Sequence, residues 1–243
     1  MSVLGMCPWC GEYRVIRGVR VLHVNLTPNA AFEQAAFELL DASERSRLSR
    51  FRVARPRTQY SLCRAALRLA LCKAIGCSNR ELSFEFREHG KPFARVGGNE
   101  AAIQFNVSHS GTHGLIAVGG EGRLGIDTEV RDGRRDLVGI SEAVYGPNER
   151  AAIERATGED RTVLFYRLWA MKEALIKALG TGFSLNPSRF EVPAEMLEGA
   201  LSGTFRFPHV PGVRWHLQDL SEGRFAAAIA FEIRAQSRPA GSR

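Results

Sequence analysis

The chain has 243 residues, 44% apolar and 24% charged, an ordinary globular balance with room for one large core or two small ones. No stretch approaches the ~20 apolar residues of a membrane span, and the start, MSVLGMCPWCGEYR, lacks the basic-then-apolar pattern of a secretory signal, so a cytoplasmic protein is expected. The net charge of +7 is concentrated: from Arg45 to Lys73 there are nine basic residues and no acidic one, a density that suits a phosphorylated cofactor, an acidic protein or nucleic acid.

In chain order, Cys7-Pro8-Trp9-Cys10 has redox-motif spacing, but no strand precedes it and Gly11 rather than a helix follows. Zinc would need a second such pair, so the motif reads as a chance match in a terminal tail. Cys63, Cys72 and Cys77 read as small core residues. A strand is expected at 20–26, then a helix opened by Thr27 with Pro28 at its first position. Asp41-x-x-Glu44 is a capping-box pattern, and a longer helix runs from about 58 to Gly76. Strands are expected at 82–86, 102–107, 114–119 and 123–130, and helices near 147–156 and 161–179. Further strands follow near 188–192, 203–207, 213–219 and 224–233, and 234–243 reads as a disordered tail.

The chain repeats itself. Glu44-Arg45-x-x-Leu48-x-Arg50 recurs as Glu149-Arg150-x-x-Ile153-x-Arg155, and Ala70-Leu71-x-Lys73-Ala74-Ile75-Gly76 recurs as Ala174-Leu175-x-Lys177-Ala178-Leu179-Gly180. Phe84-Glu85 recurs as Phe190-Glu191, all at a nearly constant offset. The fold expected is α+β, a pseudo-twofold duplication of one α/β unit, with halves at 1–122 and 123–233 and a ligand site between them. One chain holds both copies, so a monomer is expected.

Residues 125–130, GIDTEV, place Asp127 and Glu129 on one face of a strand, about 6–7 Å apart. Such a pair is often a solvated face. A hard metal ion is the alternative, and it needs a third oxygen ligand. The helix 161–179 supplies one. Leu164, Leu168, Met171, Leu175 and Ala178 form its core stripe, while Trp169, Glu173, Ile176 and Lys177 fall opposite. The first copy has Leu69 where the second has Glu173, so the second copy replaced a plain apolar position by a carboxylate. Three hard oxygens suit Mg²⁺, which typically takes phosphate oxygens as further ligands.

F-N-x-S-H-S-G (Phe105 to Gly111), G-I-D-x-E (Gly125 to Glu129) and W-x-x-K-E-A-x-x-K (Trp169 to Lys177), with G-K-P at 90–92 and G-x-G-F at 180–183, resemble the ordered signature of the Sfp-type 4′-phosphopantetheinyl transferases. The resemblance implies transfer of the phosphopantetheine arm of coenzyme A to a serine of an acyl or peptidyl carrier protein, leaving 3′,5′-ADP. It implies Asp127, Glu129 and Glu173 as the Mg²⁺ ligands, with Ser108, His109 and Lys177 at the coenzyme's phosphates. Arg64 and Lys91, joined by Arg47, would hold the 3′-phosphoadenosine end. Glu173, Lys177 and His109 are then the catalytic candidates, Glu173 as base for the serine proton. Phe183 and Leu185 are expected as exposed anchors for the carrier. A basic nucleotide- or RNA-binding module without catalysis is the rival reading. The three acids speak against it, because without a metal they repel phosphate, and no nucleic-acid partner is expected.

Overall fold

Near-continuous buried runs form strands in two antiparallel sheets, and two long amphipathic helices cover them. The structure, a computed structural model, describes residues 7–119, 121–133, 137–180 and 185–233. In the first sheet, β1 (Cys10–Ile16) and β2 (Val19–Asn25) form a hairpin closed by Arg17 and Gly18, both at positive φ as a two-residue hairpin turn requires. β7 (His113–Gly119) pairs with β2 and β6 (Gln104–Ser110) with β7, giving the order β1-β2-β7-β6. The second sheet has the order β8 (Leu124–Glu129), β11 (Ala226–Ile233), β10 (Arg214–Asp219), β9 (Ser202–Phe205). A small third sheet joins β3 (Leu82–Phe86), β4 (Pro92–Val96) and β5 (Asn99–Glu100).

The helix α3 (Ala54–Ile75) packs on the first sheet around Leu22, Leu62, Leu71 and Ile116, and α6 (Gly158–Leu179) on the second around Leu168, Leu175, Trp215 and Ala228. The opposite faces of the sheets meet through Val21, Leu115, Ile126 and Ile229. The order is therefore helix, sheet, sheet, helix. Both long helices end on a left-handed glycine, Gly76 at φ 80° and Gly180 at φ 81°, a conformation that favours glycine. No helix among the described residues is long and apolar enough to cross a membrane.

Each long helix carries a buried cation that meets the third residue of a shorter helix. In α2 (Ala42–Leu48), Glu44 closes a capping box with Asp41 and accepts from Arg68 of α3 at 3.0 Å; Arg68 is 1% exposed. In α5 (Pro147–Arg155), Glu149 accepts from the Gly146 N–H at 2.9 Å and pairs with Lys172 of α6 at 2.7 Å; Lys172 is likewise 1% exposed. Both cations also donate to carbonyls, Arg68 to Leu82 and Lys172 to Pro187, which repays part of the cost of burying charge.

Several elements depart from expectation. The Cys7–Cys10 turn is no tail: Cys10 opens β1, an edge strand, and Trp9 is buried. The helix α1 (Ala30–Leu39) is capped by Asn29, whose side chain accepts from Phe32 N–H at 3.1 Å, rather than by Thr27. The helix α4 (Leu137–Val144) was not expected. Residues 187–189 form a 3-10 turn where a strand was expected, because Asn186 caps Ser188 N–H next to Pro187. After it comes the one-turn helix α7 (Ala194–Leu197). The tail at 234–243 lies outside the described residues.

Candidate active site

The site begins with a glycine. A Cβ on Gly125 of β8 would lie 2.2 Å from Ala174 O and 2.3 Å from Ala178 N, so α6 rests its backbone directly on the strand. Glu173 and Lys177, each one residue before those contact points, are thereby brought beside Asp127. Lys177 Nζ lies 2.6 Å from Asp127 Oδ1 and 3.0 Å from Ser108 Oγ, and Ser108 donates to the same Asp127 oxygen at 2.8 Å. Asp127 is 2% exposed. The acid pair on β8 is not a solvated strand face.

β6 runs alongside β8 as the edge of the other sheet, and side chains rather than a backbone ladder fasten the two. Asn106 Oδ1 accepts from Ile126 N–H at 2.9 Å. Ser110 donates to Glu129 Oε2 at 2.8 Å and accepts from Val130 N–H at 3.1 Å. Asn106, Ser108 and Ser110 alternate along β6 and so share one face. Sequence reasoning took up Ser108 alone. The N-x-S-x-S spacing, running on past the strand expected at 102–107, was the signal for the other two.

Burial raises the carboxyl pKa of Asp127, against the opposing pull of Lys177 and Ser108. Burial also raises Glu173; Asp127 and then Glu129 add to this, and Lys177 opposes it. Asp127 Oδ2 is buried without a hydrogen-bond partner. Hard oxygen donors, an orphaned carboxylate oxygen and an excess of negative charge fit a divalent cation such as Mg²⁺ in kind. Among the described residues, however, no three His, Cys, Asp or Glu side chains are drawn together closely enough to hold a metal ion. The three acids line one cavity without converging.

That cavity, of about 370 Å³, also takes in Trp169, Lys177, Ser108, Val107 and His109. A second, of about 190 Å³, shares Val107 and His109 with it and is lined further on by Arg47, Tyr60, Arg64 and Asn106. The two therefore adjoin, one acidic and one basic. Arg64 lies over Phe84 at 4.4 Å and reaches Glu44 at 3.5 Å, while its Nη1 is buried without a partner. Arg47 lies over Tyr60 at 5.2 Å. His109 stands at the junction, its imidazole pKa lowered by desolvation and then by Lys177.

Other expected residues lie elsewhere. Lys91 lines neither cavity: its ammonium donates to Leu124 O at 2.8 Å and Lys177 O at 3.0 Å, fastening the β3–β4 turn to β8 and to the last turn of α6. Burial, with Arg123 nearby, lowers its pKa to about 8. Leu185 is no exposed anchor but packs on the core of the second sheet, and Phe183 lies outside the described residues.

Two family descriptions match consecutive parts of the chain: "4′-phosphopantetheinyl transferase, N-terminal" at residues 26–120 and "4′-phosphopantetheinyl transferase superfamily" at residues 123–230. Among curated relatives, slr0495 of Synechocystis sp. is 34% identical over 146 residues, covering 60% of this chain and 59% of its own. The 4′-phosphopantetheinyl transferase HetI of Nostoc sp. is 30% identical over 145 residues, 60% and 61% of the two chains. A 4′-phosphopantetheinyl transferase of Bacillus subtilis is 33% identical over 126 residues, 52% and 54% of the two chains. The chain thus spans between 54% and 61% of the length of these relatives. Asp127, Glu129, Glu173, Lys177, Ser108 and Ser110 all fall inside these two segments, each of which is similar to a 4′-phosphopantetheinyl transferase family.

Proposed function

We propose that this protein transfers the 4′-phosphopantetheine arm of coenzyme A to a serine hydroxyl of an apo carrier protein, releasing 3′,5′-ADP, with the Sfp-type arrangement of two α/β halves around one cleft. The observation that carries the reading is the pair of adjoining cavities, carboxylates with Lys177 on one side and Arg47 with Arg64 on the other. Duplication, with halves at 1–122 and 123–233, is supported by the recurring strand order β2-β7-β6 and β8-β11-β10 and by the matched pairs Glu44–Arg68 and Glu149–Lys172. A chain that holds both halves completes the cleft as a monomer, and the use of coenzyme A suits the cytoplasm.

In this reading Arg64, through its unpaired Nη1, and Arg47 bind the 3′-phosphate end. Lys91 contributes there only by fixing the turn that carries it. His109 and Ser108 border the pyrophosphate. Asp127, Glu129 and Glu173, which line one cavity without converging, would hold Mg²⁺ only on drawing closer, and the bound ion would supply positive charge to the phosphate oxygens. Glu173 accepts the serine proton as its oxygen bonds to phosphorus; a carboxyl raised by burial and like charge is the stronger base for that step. Lys177 neutralises the departing phosphate of 3′,5′-ADP. Incubation with coenzyme A, Mg²⁺ and a panel of apo fatty-acid, polyketide and peptide-synthetase carriers tests this by mass. A gain of one phosphopantetheine on a carrier serine is expected; coenzyme A binding without a gain on any carrier would overturn it.

A further inference from the structure

The Cys7-Pro8-Trp9-Cys10 turn takes no part in the cleft, yet it is firmly built. Cys10 N–H donates to Cys7 O at 3.2 Å, and the two residues form an isolated antiparallel bridge. Between them Trp9 is 3% exposed, donates its indole N–H to Leu62 O of α3 at 3.2 Å and packs on Phe32, with ring centroids 5.8 Å apart. Its carbonyl accepts from Asn25 N–H at 2.8 Å. Trp9, one of the two residues between the thiols, is thus clamped to α3 and β2. The two sulfurs share a hydrogen bond at 2.6 Å, and both cysteines remain partly open to solvent. A zinc site would need four ligands, and among the described residues no group of three candidate ligands is close enough to hold a metal ion.

We propose that Cys7 and Cys10 form a reversible dithiol–disulfide site that exchanges with small disulfides of the glutathione class. The Cys7 thiolate attacks one sulfur of the small disulfide, its S–S bond breaks, and one thiolate leaves. Cys10 then gives up its proton and attacks Cys7 Sγ, breaking the mixed disulfide and releasing the second thiolate. Two protein thiols are oxidised to one disulfide, and the small disulfide is reduced to two thiols that take up the two protons. The turn already holds the thiols together, so closure asks for no refolding.

The thiols differ in a way that suits these roles. The hydrogen bond with Cys10 lowers the Cys7 pKa against the opposing effect of burial, and the same bond raises Cys10. Two of the other thiols are poor nucleophiles: burial pushes Cys63 up to about 12, and burial with Cys77 alongside pushes Cys72 up to about 11.

The test equilibrates reduced full-length protein with reduced and oxidised glutathione, traps free thiols with an alkylating agent and maps the peptides by mass spectrometry. Expected is a disulfide between Cys7 and Cys10, reopened by dithiothreitol. Cys10→Ser should stop at one glutathione on Cys7 and Cys7→Ser at one on Cys10, neither closing to a disulfide. A disulfide mapping instead to Cys72 and Cys77, thiols at Cys7 and Cys10 that stay reduced, or bound zinc that Cys7→Ser removes would overturn the proposal.

Discussion

Replacing Gly125 by alanine probes the contact on which the cleft is built. The new Cβ would meet Ala174 O at 2.2 Å, Ala178 N at 2.3 Å and Ala178 Cα at 2.9 Å, all of them backbone. No side chain can swing aside to make room, so α6 and β8 must separate by on the order of 1 Å in a tightly packed interior. Overpacking costs ~1–3 kcal/mol where neighbours can adjust, so at least about 3 kcal/mol is expected where backbone must move. For a chain of this size that is a fall in Tm of about 6–12 °C. The same movement draws Glu173 and Lys177 away from Asp127, and a misplacement of ~1 Å costs about 10²-fold in turnover. Scanning fluorimetry reads the first effect. Transfer kinetics well below the variant's melting point read the second. Gly212→Ala, where nothing lies within 4 Å of the added carbon, serves as control and should stay within about 0.5 kcal/mol of the parent. Gly125→Ala protein with parental melting and turnover would refute the reasoning.

Glu173→Gln should leave melting nearly unchanged yet weaken Mg²⁺ binding in calorimetry, and added Mg²⁺ should restore only part of the transfer rate, because no metal concentration replaces a lost proton acceptor; full rescue would reduce Glu173 to a ligand. Lys172→Met should destabilise by about 3–5 kcal/mol by stranding the buried Glu149 carboxylate, while Lys172→Met with Glu149→Leu should recover much of that loss, as read by urea denaturation; equal losses in both proteins would contradict the buried-pair account. Lys91, lowered to about 8, is neutral in the fold but protonated when unfolded between about pH 8 and its ordinary value. The unfolded chain binds the extra proton there, so the parent should gain stability relative to Lys91→Met as pH rises through that window. Parallel urea midpoints from pH 8 to 10 would count against the burial of its ammonium.

Much of this was legible because local rules and global packing agree. The Asp41–Glu44 capping box and the glycine stops at Gly76 and Gly180 follow from backbone chemistry alone. Asp127, Glu129 and Glu173 do line one cavity, which the strand period and the odd carboxylate on α6 had suggested. What escaped depends on distant partners. β1 has mostly exposed residues and a glycine, so its sequence carries little apolar alternation, and only pairing with β2 makes it a strand. The resemblance offered the basic Lys91 as a phosphate ligand, whereas the carbonyls of Leu124 and Lys177 that engage it are not visible in sequence. Asn106 and Ser110 stood in the F-N-x-S-H-S-G signature with no role of their own, because the β8 groups they engage are distant in sequence.

Because side chains alone fasten β6 to β8, the cleft floor is a joint rather than a continuous sheet. A ladder of backbone bonds resists shear cooperatively. Here the rungs are separate side-chain bonds, worth roughly 1 kcal/mol net for Asn106 on a backbone N–H and about 1.5–3 kcal/mol for Ser108 and Ser110 on carboxylates. The apolar contact between the sheets, around Val21 and Ile229, is by contrast a continuous packed cluster. Rigidity and compliance are thus divided by chemistry: greasy residues hold the two sheets as one body, and three polar clasps set the width of the gap between them.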